Sequence, residues 1–181
     1  MKKIILMSIL GFILAGCSVH HQFNERLSYQ VVKQLKSEID INPRPSINII
    51  WMPESFTQRI DIQGASGFVG GGTRTRIPIG LGLSSRIEEA ISTYANLNNN
   101  GDSLVITVNE AKTKFTYGFT NMDSADVLLN LTFKFNGREW SKVFTSKQSD
   151  DGVRDASVTS VIEYAWDVIA SDVAKNIADN I

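Results

Sequence analysis

The sequence predicts an α+β domain: a mostly antiparallel sheet with amphipathic helices packed on one face and a long helix at the C-terminus. Three observations carry this expectation. Asn136-Gly137 separates two alternating stretches, and this pair favours a type I′ hairpin turn because both residues tolerate positive φ. Leu104, Ile106 and Val108 alternate with Val105, Thr107 and Asn109, the two-residue period of a half-buried strand. Near the C-terminus Val158, Ile162, Ala165, Ile169, Val173 and Ile177 form a stripe, widened by Val161 and Val168, over about 24 residues of helix. A stripe this wide suits packing on a sheet rather than a narrow coiled-coil seam.

The chain opens with Lys2 and Lys3, an apolar run from Ile4 to Leu14, and then Ala15-Gly16-Cys17, which contains its single cysteine. A charged start, a short apolar core and small residues before a cut describe a secretory signal. The run is about half the roughly 20 residues that a spanning helix needs. Leu14-Ala15-Gly16-Cys17 resembles the lipobox of bacterial lipoproteins. That resemblance implies cleavage after residue 16, a diacylglycerol on the Cys17 sulfur and an acylated amine. Losing Lys2 and Lys3 takes the formal net charge from −1 to −3. So mild an acidity lacks the basic face that nucleic-acid binding needs. Ser18, rather than Asp, follows the cysteine, a pattern resembling lipoproteins forwarded to the outer membrane, with the inner membrane as the alternative. One cysteine allows no intramolecular disulfide, so the core must hold the fold unaided.

The expected organisation is therefore a signal peptide at 1–16, a lipidated polar tether at 17–24 and one periplasm-facing domain at 25–181. Within that domain, residues 25–45 read as a helix and a proline linker, and 46–181 as the core. Leu27, Val31, Leu35 and Ile39 recur every fourth residue, as on one helical face. Pro43 and Pro45 leave an extended connector. Ile47–Met52 reads as a strand closed by Pro53. Seven glycines between Gly64 and Gly82, interrupted by the strand-like Thr73-Arg74-Thr75-Arg76-Ile77, fit either a long hairpin or a mobile loop. Ser85-Arg86-Ile87-Glu88 matches a capping box, which places a helix start at Ser85 and its apolar face on Ile87, Ala90, Ile91, Tyr94 and Leu97, ended by Asn98-Asn99-Asn100-Gly101. The strand from Leu104 is expected to run on through Phe115 and Tyr117 with a bulge near Ala111. The hairpin register then follows from its two-residue turn: Phe135 opposite Arg138, Phe133 opposite Trp140, Leu129 opposite Phe144, with Lys134–Glu139 and Thr132–Ser141 on the other face. Asp155 or Ser157 is the expected cap of the last helix.

Together with the lipobox, several pieces of the second half carry a likeness: helix Arg86–Leu97, strand Leu104–Val108, Ala125-Asp126-Val127 running into Asn136-Gly137, and Ile169-Ala170-Ser171-Asp172-Val173-Ala174 in the closing helix. This layout resembles the YajG-like family of small bacterial lipoproteins and, more loosely, the auxiliary lipoproteins of ABC-type lipid transporters that work with MCE-domain proteins. The likeness covers roughly the last 100 residues and the lipobox. It implies an envelope module that touches protein partners or lipids, and it supplies no catalytic residues to carry over.

Candidate chemistry is sparse. His20 and His21 are the only histidines, both beside the expected anchor, so a Ser-His-Asp or Cys-His site would have to draw on the tether. No Gly-Lys-Ser/Thr follows Gly70-Gly71-Gly72, which excludes a phosphate loop. Asp123, Asp126 and Asp150-Asp151 lack the twelve-residue calcium-loop pattern and read as turn residues. Three residues remain as candidate partner or lipid contacts. Arg74 and Arg76 are two apart, on one face and suited to lipid phosphate or a partner's carboxylates if this is a strand, with solvated charges on a flexible loop as the other reading. Trp166 stands about 100° off the apolar stripe, as rim packing or as an exposed anchor. No metal and no cofactor is expected. The expected function is a non-enzymatic outer-membrane lipoprotein, lipid-anchored and facing the periplasm, that serves as accessory or scaffold in envelope assembly or lipid trafficking. Its expected partners are the membrane itself, an envelope protein and phospholipid. The alternative is a structural subunit of a larger envelope machine such as a secretion system, pilus or flagellar ring.

Overall fold

The computed structural model describes residues 18–20, 23–58, 61–63, 74–116, 123–149 and 158–181. In chain order they form β1 (Ser18–His20), α1 (Tyr29–Glu38), β2 (Ser46–Met52), a 3-10 turn (Glu54–Thr57), β3 (Asp61–Gln63), β4 (Arg74–Pro78), α2 (Ile79–Ile91), β5 (Asn96–Leu97), β6 (Asp102–Thr116), β7 (Ser124–Phe135), β8 (Arg138–Ser149) and α3 (Val158–Ala178). The fold is α+β. Five strands make the main sheet in the order β5-β2-β6-β7-β8, and three make a small sheet in the order β1-β4-β3.

The hairpin is the local feature the rest is built around. Asn136 takes φ of 47° and Gly137 φ of 82°, so the turn meets the left-handed requirement of its type. The ladder has the register that the turn dictates, with Phe133 opposite Trp140 and Leu129 opposite Phe144. Phe133 stacks on Trp140 at 5.2 Å and meets Phe144 edge-on at 6.3 Å. β6 pairs antiparallel with β7, and its register shifts between Val108 and Glu110, slightly before the expected position at Ala111. Asn109 fills the bulge and donates from Nδ2 to Thr132 Oγ1 at 2.9 Å. β2 adds to the sheet in parallel, beside β6. Leu104, Ile106, Val127, Leu129, Leu131 and Phe133 point into the core, while Val143, 53% exposed, faces outward.

α3 lies across β7 and β8, with α2 beside it. α3 is described over 21 residues, and the expected caps Asp155 and Ser157 lie outside the described residues. Its buried surface is broader than the expected stripe: Trp166, Ala170 and Ala174 are buried as well as Ile162, Ala165, Ile169, Val173 and Ile177. One side faces the sheet and another faces α2. α1 starts at Tyr29, later than the expected Glu25, and lays Leu35 into the core, while Val31 and Ile39 pack at its edge. Lys175 Nζ holds Glu38 at 2.7 Å and ties α1 to α3.

The largest correction concerns α2. It begins at Ile79, and Ser85 is a mid-helix residue, so Ser85-Arg86-Ile87-Glu88 caps nothing. The helix also ends at Ile91. Tyr94 is buried beyond its end and donates its hydroxyl to Ala174 O at 3.0 Å, and Leu97 belongs to β5. Gly80 and Gly82, expected in a hairpin or a loop, are buried helix positions. Gly82 is there for proximity: a Cβ would lie 2.7 Å from Cζ3 of Trp166. β3 and β4 form an antiparallel pair, Ile62 opposite Ile77. The connecting residues 64–73 lie outside the described residues, as does Tyr117.

Replacing Gly82 with alanine sets two effects against each other. Helix propensity gains up to about 1 kcal/mol, whereas forcing a methyl into a filled site costs roughly 1–3 kcal/mol. The contact is against a rigid ring, so overpacking prevails. Gly82→Ala is expected to lower the melting temperature in a thermal unfolding scan.

Candidate functional site: the anchor-side clamp

Residues 23–28, just downstream of the expected lipid anchor, are strapped across α2 and α3. The expected polar tether is in this part a docked segment. Backbone groups do most of the docking, because a strand-free segment must find partners for its N–H and C=O groups elsewhere. Asn24 N–H donates to Glu163 Oε1 at 2.6 Å, Leu27 N–H to Glu89 Oε2 at 2.8 Å, and Ser28 N–H to Asp167 Oδ2 at 3.3 Å. Phe23 packs against Trp166 at 5.2 Å.

At the centre is a buried ion pair. Arg86, 1% exposed, donates from Nε to Asp167 Oδ1 at 2.8 Å. Its Nη1 donates to the carbonyl oxygen of Asn24 and to Gly82 O. The guanidinium lies 5.5 Å from the centroid of Trp166, within cation–π range. Trp166 donates from Nε1 to Thr113 Oγ1 at 3.2 Å and is 0% exposed. This corrects the reading of Trp166 as an exposed anchor: its indole is the wall on which the strap and Arg86 rest.

Glu89 is the second clamp point. Partial burial pushes its carboxyl up, but the hydrogen bonds from Arg26 and the Leu27 N–H, with the charges of Arg26 and Arg86, hold it below its ordinary value of 4.5. A depressed carboxylate contributes stability that is complete above the unfolded value and is lost as pH falls through the folded one. Beside it lies an open groove of about 410 Å³ edged by Arg26, Glu88 and Glu89.

Arg74 and Arg76 lie in β4. The parallel ladder with β1 places Arg74 opposite Ser18 and Arg76 opposite His20. Cys17 lies outside the described residues and is covalently adjacent to β1. Among the described residues no group of three or more His, Cys, Asp or Glu is placed to hold a metal ion, and no helix is long and apolar enough to cross a membrane. The sequence signal for the clamp was weak. Arg86 and Asp167 are 81 residues apart, and a single charged residue amid α3's apolar run was its one visible trace.

Breaking the pair on one side strands a buried charge, at a cost of about 3–5 kcal/mol. Asp167→Leu or Arg86→Met should therefore lower the urea midpoint strongly, while the double variant recovers a large part. Proteolytic nicking near residue 26 should be slow at neutral pH and rise below pH 4.5, as Glu89 protonates; Glu89→Gln should raise nicking at neutral pH.

No protein-family model matches the chain, and no curated protein matches it in sequence, so the YajG-like resemblance has no family match beside it. Several solved structures are similar. A Xanthomonas campestris protein of the DUF330 family model shares 15% identity over 90% of this chain and 96% of its own, with a TM-score of 0.49. An uncharacterised protein shares 11% identity over 88% and 97%, at 0.45. A minor lipoprotein from Acinetobacter baumannii shares 13% identity over 76% and 90%, at 0.39. These are distant likenesses of fold.

Proposed function

We propose that this chain is a lipid-anchored, non-enzymatic lipoprotein of the bacterial envelope, held at the outer membrane facing the periplasm, where it serves as accessory or scaffold in envelope assembly or lipid trafficking. The observation that carries this reading is the continuity between the lipobox-like Leu14-Ala15-Gly16-Cys17 and the fold. Strand β1 begins at the next residue, Ser18, and the segment from Phe23 to Ser28 is clamped by Glu89, Asp167 and Glu163. A chain of this design keeps its domain beside the bilayer instead of suspending it on a long linker. Partners then have to come to the membrane surface. The main sheet offers them a face that no helix of the described residues covers, where Ile50, Met52 and Val143 are exposed.

The alternative, a structural subunit of a larger envelope machine, draws on β8. This 12-residue strand is at the end of the sheet order, and an unpaired edge is a template for a neighbouring strand. In-cell crosslinking with mass spectrometry separates the readings. Transporter components with co-purifying phospholipid support the accessory role, and a single ring or pilus protein without lipid supports the structural one. Cys17→Ala should move the protein from the membrane fraction to the soluble periplasm. Retention of that variant in the membrane would overturn the anchor.

A further inference from the structure

The small sheet places two arginines next to the point of lipid attachment. Cα atoms of neighbouring strands are about 4.8 Å apart and consecutive Cα atoms 3.8 Å apart. Arg74 pairs with Ser18, so its Cα lies about 4.8 Å from that of the residue bonded to Cys17. Each polar headgroup layer of a bilayer is itself roughly 5–8 Å deep. If acyl chains on Cys17 enter the hydrocarbon, β4 begins at the level of the phosphates.

Arg74 and Arg76 are two apart in β4, and neither Ser18, Val19 nor His20 of the paired strand is acidic. Residues 64–73, which join β3 to β4, hold no acidic residue. Asp61, the sole carboxylate of the three strands, pairs with Pro78 at the far end of β4. The chain is otherwise mildly acidic, so a basic spot here does not simply follow from its overall composition. Guanidinium groups bind phosphate bidentately, and each basic residue near an anionic leaflet adds to the attraction.

We propose that Arg74 and Arg76 form a membrane-reading site for anionic phospholipid headgroups, which fixes how the anchored domain sits on the bilayer. The proposal rests on the lipid-anchor reading above. A lipid anchor alone sets distance and leaves the domain free to roll. A second contact on the same strand pair sets orientation, with β1 and β4 against the headgroups.

The test uses the mature, acylated protein reconstituted in phosphatidylethanolamine vesicles with or without phosphatidylglycerol. Thr75→Cys carries a fluorophore; the Cys17 sulfur is occupied, so this is the one free thiol. Lys134→Cys, exposed on β7 beside the hairpin turn, is the reference position. Nitroxide-headgroup lipid should quench the label at 75 at least twofold more than that at 134. Phosphatidylglycerol should increase the effect at low salt, and 0.5 M salt should reverse the increase by screening. Arg74→Gln with Arg76→Gln should abolish the phosphatidylglycerol dependence, and Arg74→Lys with Arg76→Lys should restore most of it. Equal quenching at the two positions, or dependence that survives the glutamine substitutions, overturns the proposal. An unacylated N-terminus in the mass spectrum sinks the anchor reading instead, and is seen before any vesicle is made.

Discussion

One guanidinium joins the three parts of this chain that sequence separation would otherwise leave independent. Arg86 on α2 reaches Asp167 on α3, the Asn24 carbonyl of the strap and the Gly82 carbonyl of its own helix, with Trp166 against it. A buried ion pair is not in itself a source of net stability, because desolvating both charges offsets their attraction. Its effect here is geometric. Arginine presents five N–H donors in a fixed plane, and a lysine ammonium could not serve these acceptors from one position. The surrounding residues depend on it in turn. Gly82 lets α2 approach close enough for Trp166 to lie against the pair, and Thr113 satisfies the indole N–H that burial would orphan. No buried side-chain polar atom among the described residues lacks a partner, which is the condition under which such a network rigidifies a core rather than weakening it.

What was legible in the sequence was local. The hairpin could be read residue by residue because Asn136-Gly137 sets the register, and a one-residue slip would turn Phe133 and Leu129 outward. The last helix showed in its periodicity for the same reason. α2 was misread because two local signals conflicted with tertiary context. Gly80 and Gly82 look like loop residues unless the indole that fills the space over Gly82 is known, and Ser85-x-x-Glu88 fits a capping box only if no helix precedes it. Trp166 was misplaced by the assumption of one buried face on α3. That helix is covered by the sheet on one side and by α2 on another, so the residue 100° off the stripe is at the centre of a second interface.

The anchor-side sheet was illegible for a different reason. β1 and β4 are parallel, and residues 18 and 74 are separated by most of the first half of the chain. A parallel pair leaves no turn signal, and a three-residue strand has too little pattern to reveal a period. Arg74 and Arg76 stood out in the sequence through their spacing alone. Their pairing with β1 puts Arg74 opposite Ser18, the residue that follows Cys17.

The two halves of the anchor-side architecture constrain the molecule in complementary ways. Strand pairing at β1 fixes where the chain enters the fold, and the clamp at residues 23–28 fixes the path it takes next, across α2 and α3. Each would be weak alone: a three-residue strand holds few hydrogen bonds, and the strap has backbone bonds with little apolar burial beyond Phe23 and Leu27. Together they hold the chain at residues 18–20 and again at 23–28. The strap's contacts end at Arg86 and Asp167, in the middle of the helix layer. A segment serving only as a flexible linker would need none of these contacts; here residues 23–28 are held against the core.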